Sequence, residues 1–309
     1  MQQSVHSPQN NNIIISDENA PFYQASPTGL YVIVYTINPV DQVPIWLSTV
    51  ESWFKPHGIS FIYRHPAQAV PLSLFENSQG VLLWNGTLPV FTQLKAWLNN
   101  HQIAYSFVEC GFFPQTQHVY FDKQGINVEC SLATDDLRWL PENASALLAN
   151  KEHEFFDGVL AYCEHEDYIF VPLQLGDDSN IQLNSRFTNG MQPFIDYIEN
   201  LYPSENIVFK AHPRDNNTYS SALATSYWSD ACAKSLIKGA KKVHGINSTV
   251  LFEAELWGVE TIIEGDCLLS RHKHQKRALL EAIVCYQHDL KGPAPDIECI
   301  LDNTYIRLG

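Results

Sequence analysis

A chain of 309 residues, 45% of them hydrophobic, has room for two α/β domains and a sizeable core. Its net charge of −15 argues against nucleic acid as the main partner. Seven cysteines, an odd number with no CxxC pair, argue against a disulfide framework or a structural zinc site and fit a reducing cytoplasm.

The start, MQQSVHSPQNNN, is polar and lacks the basic-plus-apolar pattern of a signal peptide. Residues 1–28 are expected to form a disordered or loose tail. No apolar run approaches the length of a membrane span. From residue 29 strands and helices alternate. GLYVIVYTI (29–37) reads as a strand, VPIWLSTVESWF (43–54) as a helix and ISFIYRH (59–65) as a strand. GVLLWNG (80–86) is a strand, LPVFTQLKAWLNN (88–100) a helix and IAYSFVECG (103–111) a strand. Short strands separated by amphipathic helices imply a parallel sheet with crossovers. Residues 119–168 are less regular, with an acidic helix-like stretch from about 142, and read as an insertion and connection.

A second unit follows. YIFVPLQL is a strand, and MQPFIDYIENLY (191–202) a helix with Phe194, Ile195, Ile198 and Leu201 on one face. NIVFKAHP is a strand, DACAKSLIKGA a helix, KVHGIN a strand, STVLFEAELWG a helix and VETIIEG a strand. Two such units predict an N-terminal α/β domain over 29–165 and a C-terminal one over 166–309, with a cleft between them. The last segment is free to pack back on the first domain.

Four constellations could carry chemistry. In HGINSTVLFEAELWG (244–258) a helix starts at Ser248 or Thr249, where hydroxyls and free N–H groups suit a phosphate. Helix capping alone explains one hydroxyl, not the full Asn247-Ser248-Thr249 run. Glu253, on the same face as Thr249, is spaced to meet a diol such as a ribose rather than to complete a capping box. In VFKAHPRD (208–215) Lys210 and His212 leave a strand on the same side, suited to a phosphate or an anionic leaving group. Glu109, in FVECGFFPQ, precedes a glycine and suits acid/base work. In FVPLQLGDDSNI (170–181) an apolar strand runs into Asp177, Asp178 and Ser179, either a solvated turn or a catalytic charge. Ten of the 19 Lys and Arg residues lie between Lys210 and Arg277, as expected of a local anion site or a solvated basic face.

The ordered motifs VExGFxPQ, PLQLxxDSxI, FKxHP and NSTVxxEAxxxG resemble the capsule polysaccharide biosynthesis family that includes the bacterial retaining β-Kdo transferases, over roughly residues 80–267. Those enzymes transfer 3-deoxy-manno-octulosonic acid (Kdo) from CMP-Kdo in capsule and lipopolysaccharide synthesis. The resemblance implies a GT-B-like α/β fold of two Rossmann-type domains with the donor held mainly by the second. It implies that Lys210, His212, Asn247, Ser248, Thr249, Glu253 and Ser179 bind the CMP-sugar. Asp178 would be the nucleophile of a retaining double displacement and Glu109 the second carboxylate. Partners would be CMP-Kdo or a related CMP-ulosonic acid and a glycan or glycolipid acceptor. No metal or other cofactor is expected, and the place is the cytoplasm, with peripheral association at the inner membrane allowed. Cys110 and Asn180 depart from the family pattern. Two alternatives stay open: an inverting CMP-sialic acid-type transferase with Glu109 as general base, and a non-catalytic sugar-nucleotide-binding partner of capsule assembly. The SRHKHQKR segment (270–277) could lie near the phosphate or a membrane surface, and reads more readily as a solvated helix start.

Overall fold

The protein's structure, a computed structural model, describes residues 29–38, 42–68 and 70–309. The expected tail over 1–28 lies outside them.

The first elements follow the expected alternation: β1 (Leu30–Tyr35), α1 (Ile45–Phe54), β2 (Ile59–Arg64), α2 (Leu72–Glu76), β3 (Gly80–Trp84), α3 (Phe91–Asn100) and β4 (Ser106–Cys110). β1 pairs in parallel with β2 and β3. A strand paired on both edges and covered on both faces needs a continuous apolar run. β1 supplies it, with Val32, Ile33, Val34 and Tyr35 wholly buried. Helix α1 turns Leu47, Val50, Trp53 and Phe54 inward at helical spacing.

The chain continues through β5 (His118–Asp122), α4 (Ala144–Phe156), β6 (Ile169–Pro172), α5 (Ser179–Asn184), α6 (Gln192–Leu201), β7 (Ile207–Lys210) and β8 (Ser226–Trp228). Then come α7 (Ala233–Gly239), β9 (Lys242–Gly245), α8 (Thr249–Trp257), β10 (Glu260–Ile263), α9 (Leu268–Arg271), α10 (Lys276–Tyr286), β11 (His288–Asp289) and α11 (Ile297–Asp302). Two compact units result, Met1–Phe107 with Pro295–Gly309, and Val108–Ala294.

One sheet has the order β11-β5-β4-β3-β1-β2 and the other β10-β9-β6-β7-β8. Every pairing in the second sheet is parallel. Its first strand, β6, lies between β7 and β9, so the winding reverses there, as in a Rossmann-type sheet. Ligands in such sheets bind beyond the carboxyl ends of the strands at that reversal. The α/β, GT-B-like class with two Rossmann-type sheets is therefore the class the chain adopts. Among the described residues no helix is long and apolar enough to cross a membrane.

Three elements differ from the sequence reading. The stretch expected to be irregular contributes β5, all five residues of which are buried. Its last residue, Asp122, is wholly buried. It accepts hydrogen bonds from the N–H groups of Gln124 (2.6 Å), Gly125 (3.1 Å) and Ser131 (2.7 Å), from Ser131 Oγ (2.5 Å) and from the Tyr286 hydroxyl (2.7 Å). A buried carboxylate is tolerable only with such a shell of donors. Leu201, expected on the buried face of α6, is exposed. Glu199 is buried there instead and accepts from the N–H groups of Ala222 and Leu223 and from Ser226 Oγ. The third difference, α5, bears on the site.

Candidate active site

The carboxyl ends of β6 and β9, the strands flanking the reversal, lead into the Asp178 and Ser248 segments. Beyond β6, Leu173 N–H donates to the Lys210 carbonyl (2.9 Å) and Asp178 N–H to the Leu175 carbonyl (3.0 Å). The chain turns at Gly176, where an added Cβ would lie 2.7 Å from Gly190 Cα, so the close approach requires glycine. Asp178 then caps α5: its Oδ1 accepts from the Asn180 N–H at 2.8 Å. The apparent acidic turn is thus an N-capped helix start, the use to which an aspartate at this position is well suited. Asp177 is exposed and Asp178 half-buried. Asp178 Oδ2 carries no hydrogen bond among the described residues.

Beyond β9, Ser248 caps α8 by accepting from the Val250 N–H (3.2 Å), and Leu251 N–H donates to the Ser248 carbonyl (3.1 Å). The Thr249 hydroxyl makes no hydrogen bond among the described residues. The positive end of the α8 dipole lies at this start. Asn247 is buried and its amide is spoken for. Gln174 Nε2 donates to Asn247 Oδ1 (3.0 Å), and Asn247 N–H donates to Gln174 Oε1 (3.2 Å). Asn247 Nδ2 donates to the Asn180 carbonyl (3.0 Å) and the Asp266 carbonyl (3.5 Å). Asn247 therefore fastens the Asp178 turn to the start of α8.

Lys210 closes β7, and His212 lies two residues past its end. Both are half-buried. His212 Nδ1 accepts from the Arg214 N–H (3.2 Å), which leaves the proton of the neutral ring on Nε2. Burial, then the Arg214 charge, lower the His212 pKa, while Asp178 and Asp215 oppose them. Asp178 is thus near enough to act on His212 through its charge. A neutral imidazole with Nε2–H can donate to an anionic oxygen.

Glu253 is half-buried on α8, and burial pushes its carboxyl up to about 7 against a smaller opposing effect of Lys234. Lys234 Nζ donates to the Phe155 carbonyl (2.8 Å) and lies 3.6 Å from the centroid of the Phe155 ring. Ser179 is half-buried at the first position of α5. Glu109 is near the end of β4, in the other sheet, where its Oε1 accepts from the Cys110 N–H (2.8 Å). Burial and then the Glu109 charge push the Cys110 thiol up to about 12, so that thiol stays protonated at neutral pH. The close approach at Gly111 is made by the protein itself: an added Cβ would lie 2.5 Å from His118 Cβ.

The structure thus joins Gln174, Asp178, Asn180 and Asn247 in one hydrogen-bonded group, with Ser248 next to Asn247 in the chain and His212 within reach of the Asp178 charge. Gln174 was not singled out from sequence, although the PLQL motif contained it. The 270–277 segment is not a free basic patch. Arg271 pairs with Asp266 (2.6 Å), Lys276 with Glu255, and Arg277 with Glu281 (3.6 Å). His272 is buried with Nε2 2.7 Å from the Leu132 carbonyl. Arg271, Lys273, His274, Gln275 and Arg277 are exposed, so a solvated start describes much of the segment, while His272 is buried and Lys276 half-buried. Among the described residues no three His, Cys, Asp or Glu side chains are grouped to hold a metal ion.

Residues 148–270 match the capsule polysaccharide biosynthesis protein family. The resemblance carried by the motifs is borne out over this capsule-family stretch. It holds Asp178, Ser179, Lys210, His212, Asn247, Ser248, Thr249 and Glu253, and leaves Glu109 outside. The chain is 30% identical over 175 residues to Protein FixF of Sinorhizobium fredii (strain NBRC 101917 / NGR234). That alignment takes in 52% of this chain and 42% of FixF, so the chain spans less than half the length of that relative. Its fold is similar to that of Thermosulfurimonas dismutans KpsC, beta Kdo 2,4 transferase, with a TM-score of 0.60, 13% identity and coverage of 88% of this chain and 96% of that one. The beta Kdo 2,7 transferase of the same organism's KpsC gives a TM-score of 0.57 at 15% identity, over 84% of this chain and 92% of that one. At such identity the likeness is one of fold.

Proposed function

We propose that this protein is a glycosyltransferase that moves Kdo, or a related ulosonic acid, from its CMP-activated form to a sugar acceptor of a bacterial surface glycan or glycolipid. The observation that carries the proposal is the bond from Asn247 Nδ2 to the Asn180 carbonyl at 3.0 Å. It locks a carboxylate-bearing turn to the start of an α-helix, the pairing required when a sugar and its phosphate leaving group occupy one site. The capsule-family match and the likeness of fold to two Kdo transferases support the same substrate class.

In this mechanism the anomeric carbon of the ulosonic acid is tertiary, so its bond to the phosphate oxygen loosens early and positive charge develops. Asp178 faces that charge. Its oxygen bonds to the anomeric carbon while CMP departs with the electron pair of the broken bond. Lys210, His212 and the N–H groups and hydroxyls at Ser248 and Thr249 take up the charge on the departing phosphate. Glu253 holds the ribose diol. The acceptor hydroxyl then attacks the same carbon, the bond to Asp178 breaks, and Glu109 receives the acceptor proton. No metal is assigned a role.

The test is CMP release from CMP-Kdo in the presence of sugar acceptors, with product stereochemistry read by NMR. Wild-type protein should release CMP with net retention, and Asp178→Ala should lose at least about 10³-fold in kcat, as loss of a catalytic nucleophile does. Full activity in Asp178→Ala sinks the assigned role, and inversion of configuration sinks the double displacement.

A further inference from the structure

Asn180 stands at a position where the sequence departs from the family pattern, and the structure gives its side chain a partner. Its N–H donates to Asp178 Oδ1 (2.8 Å), and its carbonyl accepts from Asn247 Nδ2 (3.0 Å). Its side-chain Oδ1 accepts from Asn127 Nδ2 at 3.2 Å. Asn127 lies outside the capsule-family stretch and in none of the four motifs. It has φ 54°, a left-handed conformation that asparagine tolerates better than most residues. Its N–H donates to the Tyr120 hydroxyl (3.0 Å), and Tyr120 is buried in β5. Asn127 is therefore anchored to β5 through its backbone N–H and holds Asn180 through its side-chain amide.

We propose that Asn127 is a positioning residue for the Asp178 carboxylate, acting through Asn180. The inference rests on the reading of Asp178 as the group that meets the sugar. Helix α5 has only six residues, too few to be stable on its own backbone hydrogen bonds. Its orientation is set by the ties that reach it from elsewhere. The N–H that holds Asp178 Oδ1 belongs to the residue held by Asn127 and Asn247, so a turn of Asn180 moves the carboxylate. Among the described residues Asn127 makes no hydrogen bond to the groups assigned to the CMP phosphate or ribose.

Asn127→Gly is the clean probe. Glycine keeps the left-handed backbone and the N–H to Tyr120 while deleting the amide. Its kcat for CMP release should fall about 10-fold or more, as misplacement of a reacting group by a fraction of an ångström does. The Kd for CMP, measured by calorimetry, should stay within about 2-fold, because the phosphate site is untouched. Asn127→Asp should recover most of the activity, since the Asn180 amide can turn over and donate Nδ2 to the new carboxylate. Melting temperatures are recorded for each variant. An unchanged kcat in Asn127→Gly overturns the proposal. So does a loss of kcat matched by equal losses of CMP affinity and melting temperature. Asp178→Ala separates the two levels. If that variant is inactive and Asn127→Gly is normal, only the positioning role fails. If Asp178→Ala is fully active, the reading beneath it fails.

Discussion

Glu253 carries the clearest pH signature at the level of single residues. Burial raises its carboxyl from an ordinary value of 4.5 to about 7. Between those values the folded protein binds the proton more tightly than the unfolded chain does. Stability therefore falls as pH rises through that window, and above about 7 the fold bears the full cost of an ionised, half-buried carboxylate. Glu253→Gln removes that cost. Thermal unfolding should find Glu253→Gln more stable than wild type at pH 8, by on the order of 1–3 kcal/mol, with the gap closing toward pH 4.5. A gap that widens on acidification contradicts the burial argument.

At the level of elements, the proposed function asks two things of one residue at the start of α8. Ser248 accepts from the Val250 N–H and so completes the helix. It also stands where a phosphate would meet the positive end of the dipole. Replacement separates the roles. Ser248→Asp keeps a good cap and complements the dipole, so stability should hold within about 0.5 kcal/mol. The added charge should repel the phosphate and raise the KM for the CMP-sugar by about 10-fold or more. An unchanged KM, measured by CMP release, would leave Ser248 as a cap alone. Helix α5 repeats the pattern, since Asp178 caps it with Oδ1. A capping carboxylate held by one oxygen is fixed in direction, which suits a group that must face a reacting carbon.

Over the whole molecule, the proposed function asks a chain of net charge −15 to hold an anionic donor against its own field. Most of the cations clustered after residue 210 are committed elsewhere. Arg271, Lys276 and Arg277 pair with carboxylates, and Lys241 and Lys242 pair with Glu205 and Glu260. Lys234 and Lys238 donate to the carbonyls of Phe155 and Val159. Lys210 has no such commitment through its side chain among the described residues. Lys210→Met should therefore raise the KM for the donor about 10- to 100-fold with a smaller effect on stability, a loss typical of a charge-assisted contact to phosphate. Wild-type activity should be unchanged by EDTA. A normal KM in Lys210→Met, or loss of activity on chelation, would transfer the phosphate charge to another group.

The sequence by itself determined the fold class and the chemical inventory. Apolar runs such as those of β1 and β6 can serve only as strands buried on both faces, and the helix starts at Ser248 and the strand end at Lys210 announce themselves locally. The family resemblance favoured Asp178 over Asp177; of the two, Asp177 is the exposed one. What the sequence left open depends on partners distant in the chain. Asp122 was not singled out, because three of its five hydrogen bonds come from Ser131 and Tyr286, 9 and 164 residues away. The basic run at 270–277 read as a solvated helix start and is largely exposed, but the pairing of Lys276 with Glu255, 21 residues away, is not written locally. Asn247 was placed among the donor ligands, whereas its amide reaches Gln174 and Asn180, 73 and 67 residues away. Asn127 carried no signal at all. Periodicity and capping are short-range physics and are written along the chain. A buried polar group must find its hydrogen-bond partner in space, and only the tertiary structure decides which one it finds.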